Sequence, residues 1–364
     1  MASFEQWKHL HDKGDILAIS QDREGILWLK IKSIMRKDIL KDFLSSCEIS
    51  LKETRLQAQF KELFLLCLND KECAHSKLNK FIADENEKIL NTLDINRITS
   101  ELYKLKSFDW GGDYNNSLDR YLVSHYVKAI DSYDTLISKF NTEINHAVQG
   151  YVLSSWYNHW SSVLIEHIFK SHPSVLPTVG KIKNVDFFIN DIPFDLKVTY
   201  FPNEYMRQKR RERSLPPEIV YLKQKAKENG ICFDKRGNDD DVRYEITEKM
   251  KDKSSASCLE ALKAIQEQRM TILHESIAKP KQLMVWLYEN QGEMRFGSEN
   301  RLFLVLVDRS DFNESWKLKR NIEILRPAII QFLDGFKTKD ISTVPFTYKG
   351  NNYRALSDII FIVK

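Results

Sequence analysis

The stretch Asn184 to Thr199 reads N-V-D-F-F-I-N-D-I-P-F-D-L-K-V-T. Its pattern predicts two short strands joined by Asn190 and Asp191, because Asn and Asp tolerate the positive φ that a tight hairpin turn requires. A two-residue turn sets the register. Ile189 then faces Ile192, Phe188 faces Pro193, Phe187 faces Phe194 and Asp186 faces Asp195. Side chains alternate along a strand. One face therefore holds Phe187, Ile189, Ile192, Phe194, Leu196 and Val198, all apolar. The other holds Asp186, Phe188, Pro193, Asp195, Lys197 and Thr199. The first face suits a core and the second suits chemistry.

The same register explains Pro193. The pair Phe188 and Pro193 falls at a non-hydrogen-bonded position, so the missing proline N–H costs nothing on that side. Asp186 and Asp195 form the next non-hydrogen-bonded pair, with Cα atoms about 4.5 Å apart. Carboxylates placed directly opposite each other destabilise a sheet. A divalent cation with oxygen ligands would offset that repulsion. Lys197 lies on the same face, one step beyond Asp195, where an ammonium can stabilise an oxyanion or position a water.

Outward from the hairpin, the chain of 364 residues is long enough for two domains. Hydrophobic content of 42% supports a real core, and 29% charged residues argue for a soluble protein. The net charge of +4 is too mild to announce a nucleic-acid binder by itself. Five cysteines, an odd number without CxxC spacing, read as free thiols of a reducing cytoplasm. The N-terminus lacks a basic segment followed by an apolar run, so no signal peptide is expected. No stretch approaches the ~20 apolar residues of a membrane span.

Residues 1–107 read as a helical N-terminal domain of three or four amphipathic helices, able to read DNA, to dimerise or to brace the core. Phe108 to Asp113, with two glycines, marks a boundary, and 113–364 forms the second domain. Asn116 or Ser117 is expected to cap a helix running to about Phe140, and Asn141 or Thr142 the next, to about residue 170. Glu166 sits near the end of that second helix. Residues 223–257 read as a polar surface loop. Asp239, Asp240 and Asp241 within it lack the alternation, glycine and closing Glu of a calcium loop. Cys258 to Ile277 reads as a helix, and Arg301 to Asp308 as a strand buried on both faces. Ser315 to Phe336 reads as a helix kinked at Pro327. Val344 to Tyr353 reads as a hairpin and Ile359 to Val363 as a terminal strand. The fold class is α/β (α+β), a mixed central sheet flanked by helices.

Val185-Asp186, followed after the turn by Asp195-Leu196-Lys197, resembles the PD-(D/E)xK motif of the restriction-endonuclease-like nuclease superfamily. Val185 stands where the motif usually has Pro. Glu166 matches the glutamate that this family tends to place on a preceding helix. The resemblance implies a restriction-endonuclease-like catalytic domain over 113–364 that uses Mg²⁺. Asp186 and Asp195 would be metal ligands, with Glu166 completing the site. Lys197 would orient or help deprotonate the attacking water. Arg207, Lys209, Arg210, Arg211 and Arg213 follow the motif closely and would contact DNA phosphates. Within the family the chain is most similar to a type II restriction endonuclease. That implies a homodimer on double-stranded DNA, in a bacterial or archaeal cytoplasm, with a cognate methyltransferase protecting the same site. A repair or defence nuclease, and a non-catalytic DNA-binding protein on the same scaffold, are the alternatives.

Overall fold

The structure, a computed structural model, describes residues 3–106, 118–234, 239–290 and 298–364. The expected turn at Phe108 to Asp113, the cap at Asn116 or Ser117 and residues 235–238 of the polar stretch lie outside these.

The hairpin forms as its sequence requires. β2 (Val185–Ile189) and β3 (Ile192–Tyr200) pair antiparallel, with Ile189 opposite Ile192, Phe188 opposite Pro193 and Phe187 opposite Phe194. Asn190 and Asp191 turn the chain at φ of 46° and 69°. β2 also pairs with β1 (Val175–Ile182), an edge strand whose Pro177 lies opposite Phe187. An edge position is where a strand tolerates proline.

β3 runs parallel to β4 (Arg301–Val307), which runs parallel to β6 (Asn351–Val363). β5 (Ser342–Tyr348) closes the other edge, antiparallel to β6. The six strands form one mixed sheet in the order β1-β2-β3-β4-β6-β5. Lys349 and Gly350 turn β5 into β6 at φ of 48° and 79°. The second hairpin strand and the terminal apolar strand, read separately from the sequence, are one continuous β6. Every residue of β4 is buried, as its unbroken apolar run requires.

Alternation sends the two sheet faces into different cores. Phe187, Ile189, Phe194, Leu302 and Ile360 pack with Ile165 and Phe169 of the helix Asn145–Lys170 and with Ile329 of the helix Ile322–Gly335. Phe303, Val305 and Ala355 pack on the other side with Tyr205 and Met206 of the helix Asn203–Glu212. Leu273 of the helix Ala256–Ala278 and Leu287 of the helix Pro280–Asn290 join that second core.

The N-terminal region holds seven helices over residues 4–103, not three or four. The breaks are polar caps inside apparently continuous periodicity. Asp15, Asp22, Asp70 and Asp94 each accept a hydrogen bond from the first turn that follows. This region shares a core with the hairpin. Trp28, Ile31 and Leu78 gather with Ile182, Val185 and Phe188, which accounts for the aromatic residue, Phe188, on the polar face. Gly180 of β1 lies so close to the helix Arg23–Ser33 that a Cβ there would meet the Ser33 carbonyl oxygen at 2.5 Å. The region thus packs directly against the hairpin strands.

Three other expectations need correction. The helix expected up to Phe140 is interrupted at 128–132, and the chain then passes from Tyr133 to Lys170 through a widened turn at Phe140–Ile144 instead of a cap. The polar stretch 223–257 is largely helical, with Glu218–Glu228 and Asp239–Lys253 packed through Leu222, Ala226, Val242, Ile246 and Met250 onto Cys258 and Ile265. Its apolar residues are sparse but recur at helical spacing, so a narrow stripe suffices to dock it. Between Phe312 and Gly335 the break falls at Asn321, whose side chain caps the helix Ile322–Gly335, while Pro327 lies inside that helix.

Candidate active site

Backbone pairing between β2 and β3 ends at Phe187 and Phe194, one residue short of the two aspartates. There the Asp186 carboxylate takes over from the ladder: its Oδ2 accepts the Leu196 N–H at 2.8 Å. Beyond that point β3 turns to its parallel neighbour, and the Asp195 N–H donates to the Asn300 carbonyl at 2.9 Å. Asn300 is fully buried and ties the corner together. Its amide donates to Pro193 O and Ser20 Oγ and its Oδ1 accepts from Leu356 N.

Asp195 is 7% exposed. Lys197 Nζ lies 3.0 Å from its Oδ1 and 2.9 Å from its Oδ2, but only the contact to Oδ1 has hydrogen-bond geometry. Oδ2 is buried and accepts no hydrogen bond, with the Arg301 Nε 3.7 Å away. Burial pushes the Asp186 carboxyl up to about 6, and the charges of Asp195 and Glu166 add to the rise. The Leu196 amide and Lys197 pull the other way without cancelling it. Two carboxylates thus stand together, one reluctant to ionise and one with an unsatisfied oxygen.

Glu166 is within electrostatic reach of Asp186 but bonds to Lys170, at 2.6 Å. Among the described residues no group of three or more His, Cys, Asp or Glu is gathered closely enough to hold a metal. Mg²⁺ is commonly held by one or two carboxylates plus water and substrate phosphate. Asp186 and Asp195 fit that donor set, and the Oδ2 of Asp195, which accepts no hydrogen bond, is the oxygen it would use.

The basic run divides. Arg207 and Arg211 are exposed on the helix Asn203–Glu212. Lys209 pairs with Glu212, and Arg213 with Glu275. Arg210 is 1% exposed and donates to Pro216 O and to Gln268 Oε1. Arg210 is therefore corrected from a phosphate contact to a structural anchor, because its guanidinium is spent inside the protein. Asp239 opens a helix, where an acid complements the dipole.

The sequence reading missed the ring around Asp195. Arg301, the first residue of the buried strand, bonds Glu299 at 2.8 Å and lies over the Tyr288 ring at 5.1 Å. Tyr288 donates to the Glu299 carbonyl and accepts from the Arg301 N–H. Burial raises the Glu299 carboxyl, with Arg301 opposing and Asp195 adding to the rise. Charged residues at the head of a strand buried on both faces were the available signal.

The raised Asp186 carboxyl has a stability consequence. The folded chain holds that proton more tightly than the unfolded chain, so stability is lost as pH rises from near 4 through about 6. Asp186→Asn keeps an acceptor for Leu196 N–H and removes the repulsion. It is expected to raise unfolding free energy at pH 8 by on the order of 2 kcal/mol, with the gain fading by pH 4.5. Urea midpoints at the two pH values check this; an equal or lower midpoint at pH 8 would refute it.

Compared with family models, with curated proteins and with solved structures, the chain matches none.

Proposed function

We propose that the chain is a Mg²⁺-dependent endonuclease that hydrolyses phosphodiester bonds of double-stranded DNA. The observation that carries the reading is the buried Oδ2 of Asp195, which accepts no hydrogen bond, in a residue whose charge raises the neighbouring Asp186 carboxyl. The mixed sheet flanked by helices, with the motif hairpin feeding a parallel strand pair, supports the same reading.

Asp186 and Asp195 would hold the ion, with Glu166, in electrostatic reach of Asp186, as the third acid of the site. When bound, Mg²⁺ supplies positive charge against the phosphate and lowers the pKa of coordinated water. Lys197, with its side chain 46% exposed and its ammonium tethered to Asp195, orients the attacking water or holds a phosphate oxygen. Arg301 and Glu299 keep the Asp195 carboxylate oriented. Water oxygen attacks phosphorus, the bond to the 3′-oxygen breaks, and a 5′-phosphate and a 3′-hydroxyl remain. Arg207 and Arg211 offer exposed guanidinium groups to the backbone.

The finer reading is a type II restriction endonuclease acting as a homodimer at a palindromic site, with a partner methyltransferase. The purified chain is incubated with plasmid and phage DNA in Mg²⁺. Discrete, reproducible fragments are expected. A smear would keep the chemistry but favour a repair or defence nuclease. Binding in a gel shift without any cleavage would favour the non-catalytic reading and overturn the proposal.

A further inference from the structure

A second site lies at the far end of β3. From Asp195 the strand runs on to Tyr200 and Phe201, a span of about 20 Å at ~3.3 Å per residue. Beyond it a cavity of about 50 Å³ is lined by Arg207, Arg210, Arg243 and Arg269. They come from three helices, Asn203–Glu212, Asp239–Lys253 and Ala256–Ala278. We infer that this cavity binds the terminal phosphate of a small phosphorylated ligand or of a nucleic-acid strand end.

Size is the first argument. A water needs ~10–15 Å³ of such volume, so the cavity holds about three to five waters, or one tetrahedral oxyanion. A phosphodiester inside a strand carries a sugar on each side, so a terminal phosphate or free phosphate fits better.

Charge is the second argument. The guanidinium groups of Arg207, Arg243 and Arg269, in addition to the inward-bonded Arg210, stand on the lining with Glu218 and Asp239, and Asp239 also pairs with Lys223 at 3.2 Å. Arg269 grips Glu218 with two hydrogen bonds, of 2.9 and 2.5 Å. Arg210 lies 3.8 Å from the same carboxylate. Burial raises the Glu218 carboxyl, yet Arg269, Arg210 and Arg243 together hold it below its ordinary value. Arg269 and Arg210 thus share the largely buried Glu218 carboxylate, with Arg243 in electrostatic reach of it, and an anion in the cavity would add to the neutralisation of this cluster. Arg207, with its side chain 53% exposed and paired with Glu204 at 2.8 Å, stands at the rim.

Preorganisation is the third argument. Arg269 also lies over the Phe312 ring at 5.6 Å, and Arg243 donates to Asn313 at 3.3 Å. Fixed, planar forks lose little entropy on gripping an oxyanion. Two helices begin here, at Asn203 and Glu218, each preceded by a proline that provides no side-chain cap. Their ends add partial positive charge.

The inference is independent of whether Asp195 cuts DNA, and its test avoids divalent metal. The full chain is titrated with inorganic phosphate by calorimetry and thermal shift, at constant ionic strength against chloride. Saturable binding with a rise in Tm is expected. Arg243→Gln and Arg207→Gln should each weaken it about tenfold or more, while Asp195→Asn leaves it unchanged. A short oligonucleotide is then used as competitor, with a 5′-phosphate or a 5′-hydroxyl. Displacement of phosphate by the first alone identifies a strand end as the source; displacement by neither identifies a small molecule. The inference falls if phosphate acts no differently from chloride, or if both arginine variants bind it like wild type. It also falls if Asp195→Asn abolishes binding, since the phosphate would then sit at the other site.

Discussion

Asp195→Asn is expected to lower DNA cleavage by at least ~10³-fold while leaving DNA binding nearly intact. The side chain is positioned from several directions: its own amide is held by Asn300, its Oδ1 by Lys197 and its Oδ2 stands beside Arg301. Asparagine is nearly isosteric, so the corner is kept. It removes the negative charge that would hold a cation, and it leaves Lys197 without its anionic partner. Loss of both effects together makes the drop large. The measurement is single-turnover cleavage at saturating enzyme, beside a gel shift in Ca²⁺. Equal cleavage by variant and wild type would remove the hairpin from the chemistry. Loss of binding alongside cleavage would show that Asp195 holds the fold and not the reaction.

Asp191→Asn is expected to destabilise the fold by about 3 kcal/mol, although asparagine suits the turn. From the sequence Asp191 is a turn residue, and at φ 69° it is one. The structure gives its carboxylate a second task. Oδ1 accepts from Lys30 Nζ at 2.5 Å and Oδ2 from Arg23 at 2.7 Å. Lys30 is fully buried, with His75 Nδ1 3.3 Å from its ammonium. Burial pulls the Lys30 ammonium below its ordinary value more strongly than Asp191 pulls it up. Asparagine therefore leaves a buried cation without its counter-ion, and such losses cost 3–5 kcal/mol. Burial would raise the Asp191 carboxyl, but Lys30 and Arg23 hold it below the usual range. Its contribution is thus present at neutral pH and lost as pH falls through the depressed value. Urea unfolding at pH 7 checks the prediction. Adding Lys30→Met to Asp191→Asn should recover most of the loss, because an apolar side chain of similar length needs no partner there. A single variant as stable as wild type would sink the argument.

These two aspartates, only a few residues apart, mark how far the sequence could be read. The hairpin was legible because turn chemistry and period-two alternation are local: Asn190 and Asp191 determine the register, and the register determines which residues share a face. The buried strand β4 and the hairpin that joins β5 to β6 were legible from equally local patterns. Helix breaks at Asp15, Asp22, Asp70 and Asp94 were written in the sequence as caps but were hidden by continuous apolar periodicity. The helix Asp239–Lys253 was missed because its apolar stripe is narrow and means something only once Cys258 and Ile265 are beside it.

By itself, then, the sequence determined the hairpin and its core face, consequences of neighbours a few residues apart, while the ladder stops at Phe187 and Phe194, one residue short of Asp186 and Asp195. Only the tertiary structure decided what surrounds them. It buried Arg210, turned Glu166 toward Lys170, brought Arg301 and Glu299 to Asp195 and set Lys30 against Asp191. Those relations join residues far apart in the chain, and charge–charge energies depend on burial and distance that no local pattern encodes.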